Sequence, residues 1–159
     1  MWVVIGCDRM SKHKICSIVQ IAVMTLTILL LFAPCLKNAN NNISGISAYY
    51  GINCDALSFS ISGLFLTLLM LSGLGFAIVK LVNNNDKVKL VMNILIVIVG
   101  IVIAIGSFLG NKDIILTPKH QGVTASSLGY TIGFGFMMNG FLALIFSVAS
   151  LLDQFIIGN

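Results

Sequence analysis

The chain has no glutamate, and its five acidic residues are all aspartates. Charged residues make up only 9% of it and hydrophobic ones 58%, with a mean hydropathy of +1.04. A soluble domain has about 25% charged residues. So few charges would not cover a water-exposed globule of 159 residues, which excludes an ordinary aqueous domain and points to an integral membrane protein. The nine Lys and Arg form no basic stripe, so the formal net charge of +4 does not indicate a nucleic-acid partner. Cys7, Cys16, Cys35 and Cys54 include no CxxC pair, and only His13 and His120 could assist them. Neither a zinc site nor a thiol oxidoreductase is expected. No Ser, His and acid arrangement and no phosphate loop is legible, so no catalytic residue, cofactor or enzyme activity is expected.

What the chain does have is four long apolar runs: Ile15 to Leu36, Leu57 to Val79, Val88 to Gly110 and Ser127 to Leu152. Each exceeds the roughly 20 residues a helix needs to span the hydrocarbon. The expected fold is all-α, a four-helix transmembrane bundle forming one domain over residues 1–159. Outer loops 37–56 and 111–126 and an inner loop 80–87 separate the helices. No run alternates like the strands of a membrane barrel. Arg9, Lys12, Lys14, Lys80, Lys87 and Lys89 lie on one side, against Lys37, Lys112 and Lys119 on the other. Positive charge favours the cytoplasm, so both termini are expected there. The first run exceeds a signal-peptide core and lacks a cleavage site, so it is expected to remain as a helix. Met10 offers an alternative start, in which case Trp2 and Cys7 carry no message.

Glycines interrupt the fourth run, "GYTIGFGFMMNGF". In a soluble helix each would cost about 1 kcal/mol relative to alanine. In lipid, small residues instead let helix backbones approach. Gly129 and Gly133 form a GxxxG pair that Gly140 and Ser147 continue, and the third run repeats the spacing with Gly100 and Ala104, and Gly106 and Gly110. These are expected to be packing notches; the alternative is that they line a narrow pore or permit a kink.

The four apolar cores hold no ionisable residue, and Lys89 and Asp153 fall at run ends, where they can snorkel or face water. Ion-coupled carriers usually need an ionisable group at depth. Three amides do lie within the runs: Gln20, Asn93 and Asn139. Gln20 and Asn93 each sit about five residues in, or about 7–8 Å from the inner face, level enough to pair across the bundle. Asn139 lies near the middle of the last helix. The amides form interhelical hydrogen bonds of about 0.6–2 kcal/mol each, or they contact a ligand or ion. Cys35 and Cys54 bracket the first outer loop. They form either a disulfide, worth about 3 kcal/mol in a chain-entropy estimate, or two unrelated thiols. "SAYYGI" reads as a short strand, or as a pair of tyrosine anchors at the headgroups.

The first run ends in "LFAPC" and the last opens with "GYTIGFGF". In these features and in its four-helix layout the chain resembles small bacterial tetraspan membrane proteins, a layout distantly claudin-like. Claudins carry a Trp in the first outer loop, and this one has none. The resemblance implies the tetraspan fold and assigns no functional residue. The expected role is a non-enzymatic multi-pass membrane protein. It would act through helix contacts as an accessory subunit, scaffold or immunity-type factor, with a membrane-protein partner or further copies of itself. The alternative is a small oligomeric channel around Asn139. Abundant Lys, Asn and Ile, whose codons are AT-rich, point to the plasma membrane of a low-GC bacterium.

Overall fold

A computed structural model of the chain describes the backbone of residues 2–38, 41–120, 122–124 and 127–158, and the side chains of 12–38, 41–120, 122–124 and 127–155. The side chains of Trp2 and Cys7 lie outside the described residues. The helices are α1 (Trp2–Leu29), α2 (Gly45–Tyr50), α3 (Ile61–Val82), α4 (Asp86–Phe108) and α5 (Phe134–Gly158). The strands are β1 (Pro34–Lys37), β2 (Asn42–Ser44), β3 (Leu57–Ser58), β4 (Thr117–Pro118) and β5 (Thr131–Ile132). Four helical segments are long and apolar enough to cross a membrane: Lys12–Phe32, Ile61–Val82, Asp86–Phe108 and Phe134–Phe155.

Local chemistry trims the apolar runs to these bounds. The first does not reach Leu36. Pro34 disfavours helical geometry in the residue before it, and Ala33 is extended at φ −76°, ψ 164°. The second begins at Ile61, because Leu57 and Ser58 pair with β4 and the Ser60 hydroxyl accepts the Gly63 N–H at 3.1 Å. The fourth begins at Phe134, because Thr131 and Ile132 pair with β1. In "NNN", the Asn83 side chain accepts the Asn85 N–H and Asn85 caps α4 at the Lys87 N–H, which closes the α3–α4 turn.

The four long helices form a ring in which α1 packs on α3 and α5, and α4 packs on α3 and α5. Neighbours therefore run antiparallel, and α1/α4 and α3/α5 face each other across the diagonals. Each helix buries one seam in alternating steps of three and four. In α1 it is His13, Ser17, Gln20, Met24 and Thr27; in α3 it is Gly63, Leu66, Met70, Gly73, Ala77 and Lys80. In α4 it is Asn93, Ile96, Gly100, Ile103 and Ser107; in α5 it is Phe136, Asn139, Ala143, Phe146, Ser150 and Asp153. A mean step of 3.5 residues is that of left-handed, coiled-coil-like packing. Met24, Val99 and Phe146 converge on Gly73 and fill the middle of the bundle. The opposite faces expose Ile18, Phe65, Leu68, Ile94, Ile98, Ile145 and Val148. Apolar surface this extensive belongs against lipid.

One end of the bundle holds the α3–α4 turn and is here called the turn end. The other carries a small cap, made of an antiparallel sheet in the order β2-β1-β5, the β3–β4 pair and α2. "SAYYGI" lies largely in α2 rather than in a strand, and Tyr49 is not a headgroup anchor. The Ser44 hydroxyl caps its start, and Gly51 ends it in the left-handed region at φ 65°. Tyr49 is fully buried, stacked on Phe136 at 5.3 Å between ring centroids, with its Cβ set over Gly63. Removing so large a ring from water stabilises the cap more than a headgroup position would.

Candidate functional site

A helical side chain leans toward the N-terminus of its own helix. Lys80 on α3 and Asp153 on α5 lie near the turn end of helices that begin at the cap. Both therefore lean into the bundle. His13 and Gln20 on α1 and Asn93 on α4 lean the other way, toward the turn end. The five side chains meet in one layer.

The Lys80 Nζ lies 2.6 Å from Asp153 Oδ2 and donates to Gln20 Oε1 at 2.7 Å and Asn93 Oδ1 at 2.8 Å. An ammonium has three protons, and these are its three acceptors. The other carboxylate oxygen of Asp153 lies 2.5 Å from His13 Nδ1. The Ser150 hydroxyl donates to Asn93 Oδ1 at 2.8 Å, and the Ser17 hydroxyl to the His13 carbonyl at 3.0 Å. Gln20, Asn93 and Asp153 have no solvent exposure, and Lys80 has 2%. All four transmembrane helices contribute. Buried charges persist only when paired and hydrogen-bonded, and here they are both.

This corrects two expectations. Asp153 neither snorkels nor faces water, and Lys80 belongs to the bundle interior rather than to an inner loop. Gln20 and Asn93 lie in one layer, as their depth predicts, but no direct bond joins them; the Lys80 ammonium sits between them. Lys89 is also mostly covered, 8% exposed, and its Nζ lies 3.4 Å from Asp86 Oδ1. The missed signal was register. Lys80 falls three residues after Ala77, and Asp153 three after Ser150, each the next step of a buried seam.

Asn139 is fully buried in α5, and neither its Nδ2 nor its Oδ1 has a hydrogen-bond partner among the described residues. The hydroxyls of Tyr49 and Ser107 are likewise buried and have no hydrogen-bond partner among the described residues. Phe136 stacks on Tyr49 and packs against Gly110.

The glycines divide. A Cβ on Gly100 would meet the Ala143 carbonyl at 2.8 Å and run into Ser147, so α4 and α5 approach closely there. Ala104 is buried on the same helix. A Cβ on Gly140 would meet the Phe108 ring. Gly106 and Gly110 are four apart yet face different neighbours, Leu66 of α3 and Phe136 of α5. Gly129 and Gly133 form no helical GxxxG pair, because both precede α5. Gly129 takes φ +67° in a turn, and Gly133 lies against the backbone of Pro34 and Cys35.

Cys35 and Cys54 are free, buried thiols, not a disulfide. The Cys35 thiol donates to the Leu30 carbonyl at 3.5 Å and packs against Gly45 and Gly135; burial pushes it up to about 12. Cys54 lies beside Tyr130, whose hydroxyl is shifted up first by burial and then by this thiol. Hydrogen bonds hold the two outer segments together instead. Lys119 Nζ donates to the Cys54 carbonyl at 2.6 Å, the Ser60 hydroxyl to the Ile115 carbonyl at 2.5 Å, and Asn38 Nδ2 to the Leu128 carbonyl at 2.9 Å.

No family model, curated protein or solved structure matches this chain.

Proposed function

We propose that this integral, multi-pass membrane protein is non-enzymatic and works through helix contacts in the bilayer as an accessory subunit, scaffold or immunity-type factor. The observation that carries this reading is a groove of about 410 Å³ between α3 and α4, toward the cap end. Ile61, Phe65, Val102 and Ile105 line it beside the small Ser62, while Gly106 lies beneath the Leu66 side chain. A small residue flanked by bulky apolar ones lets a further transmembrane helix come close. The four-helix polar layer supports the same reading, because it braces the bundle that presents the groove. On this reading both termini are cytoplasmic and the membrane is the plasma membrane of a low-GC bacterium.

The test is detergent purification of the full chain and of the variants Ser62→Trp and Val102→Trp. A partner membrane protein or a second copy should stay bound to the native chain. The tryptophans should release it without lowering the thermal midpoint of the bundle. Retention of the partner by both variants would remove the groove from the argument.

A second reading, a small oligomeric channel, draws on Asn139, whose amide is buried without a partner among the described residues. A path along the axis of one bundle would have to pass the layer of Met24, Gly73, Val99 and Phe146. Solute or ion flux in liposomes holding only the purified chain, lost on Asn139→Leu, would favour the channel over the scaffold.

A further inference from the structure

We propose that the turn end carries a binding site for one anionic phospholipid, with the phosphate at a lysine-lined notch and an acyl chain along α3. This goes beyond the scaffold reading and does not depend on it, requiring only that the helices sit in lipid.

Two adjoining cavities carry the inference, and they share Asn83 and Asn84. The first is a polar notch lined by His13, Lys14, Ser17 and Lys89 together with the two asparagines. Its enclosed volume is about 10 Å³, room for about one water, so a headgroup stays at its mouth. The second is an open groove of about 530 Å³ lined by Ile78, Val79 and Val82 with the same asparagines. These three apolar side chains are 45%, 43% and 75% exposed, so the groove faces the hydrocarbon. Cationic notch and apolar groove thus meet where α3 leaves the membrane. A single molecule matches both only if it joins an anion to a hydrocarbon chain.

The charge balance selects an anionic lipid over a zwitterionic one. Lys80 also borders the notch, but its ammonium is neutralised by Asp153. His13 is engaged by the same carboxylate. The charge offered to a ligand is therefore that of Lys14 and Lys89, offset by Asp86. The Asp86–Lys89 contact is 3.4 Å long, with the Asp86 side chain 76% and the Lys89 side chain 11% exposed, so a phosphate oxygen at the mouth of the notch competes with Asp86 for Lys89. The Asn83 and Asn84 amides stand beside both compartments as further donors. A choline headgroup would bring its own cation against the two lysines. Basic pockets beside transmembrane helices bind anionic headgroups on this principle. A free phosphate would leave the apolar groove unfilled, and a water-borne peptide would not reach a surface facing the hydrocarbon.

The test is native mass spectrometry of the full chain, delipidated in detergent and titrated with phosphatidylglycerol or phosphatidylcholine. One phosphatidylglycerol should bind per chain, roughly tenfold or more tighter than phosphatidylcholine, as two basic contacts imply. Lys14→Gln with Lys89→Gln should bring the two lipids within about twofold of each other. Lys89→Arg, which keeps the charge, should retain the preference, and so should Lys112→Gln at the opposite end. Val82→Ser should weaken phosphatidylglycerol without changing the thermal midpoint. Equal binding of the two lipids by the native chain would overturn the proposal. So would a preference that survives the double lysine variant, or displacement of the bound lipid by millimolar inorganic phosphate.

Discussion

Lys80 and Asp153 stand 2.6 Å apart on opposite helices of the ring, joined across the bundle at full burial. Neither belongs to the α3–α4 or the α1–α5 interface alone. Their contact lets one layer hold all four helices, with Gln20, Asn93 and His13 completing it.

Removing Asp153 leaves the Lys80 charge buried and uncompensated, and removing Lys80 leaves Asp153 with His13 as its one remaining basic neighbour in the layer. Lys80→Met and Asp153→Leu should each destabilise the bundle by about 3–5 kcal/mol, read as loss of the folded state in a denaturant titration in detergent micelles. The double variant should lose much less than the sum, because the isolated charge is then gone. Additive losses would mean that the two side chains do not act as a pair.

The α4–α5 contact rests on Gly100, which leaves no room for a side chain against Ala143 and Ser147. Gly100→Val should destabilise the bundle by about 1–3 kcal/mol through overpacking. Gly75 is the control, since among the described residues no side chain and no neighbouring element lies within 4 Å of where its Cβ would be. Gly75→Ala should be neutral or slightly stabilising in the same titration.

Asn139 has no hydrogen bond to lose among the described residues. If the site is dry, Asn139→Leu removes an unsatisfied buried amide and should stabilise the bundle by about 1–3 kcal/mol. Destabilisation instead would reveal a ligand or ordered water on the amide. Thermal unfolding of the native chain and of the Asn139→Leu variant, side by side, separates the two.

Cys35 is held as a neutral thiol by burial, with its folded value up at about 12 against an ordinary 9.0. Its folded pKa is raised, so the stability it contributes is fully present below about pH 9 and is lost as pH climbs toward 12. Maleimide should label Cys35 slowly in the folded chain at pH 8 and readily after denaturation. Non-reducing electrophoresis should show no intramolecular bond to Cys54. Fast labelling in the folded state would contradict the burial.

Much of the architecture was legible without coordinates. Four apolar runs gave four spans, and the shared depth of Gln20 and Asn93 put them in one layer. The ends of the runs were not legible. Residues 127–133 lead without a charge into the last apolar run, but two of them pair with β1 and Gly129 takes a positive φ, interactions that hydropathy does not encode. The disulfide reading of Cys35 and Cys54 failed for a related reason. Loop length gives the entropy of closing a ring and says nothing about where either thiol points.

The linear chain by itself determined that this protein lives in lipid and how often it crosses, because both follow from the length and apolarity of segments read one at a time. Whether Lys80 and Asp153 escape to water or turn inward was decided only by the assembled bundle. That choice depends on the direction in which each helix runs and on which acceptors from the other helices stand at the same level. No segment carries that information alone, since a buried charge is tolerated only where separate parts of the chain converge to balance it.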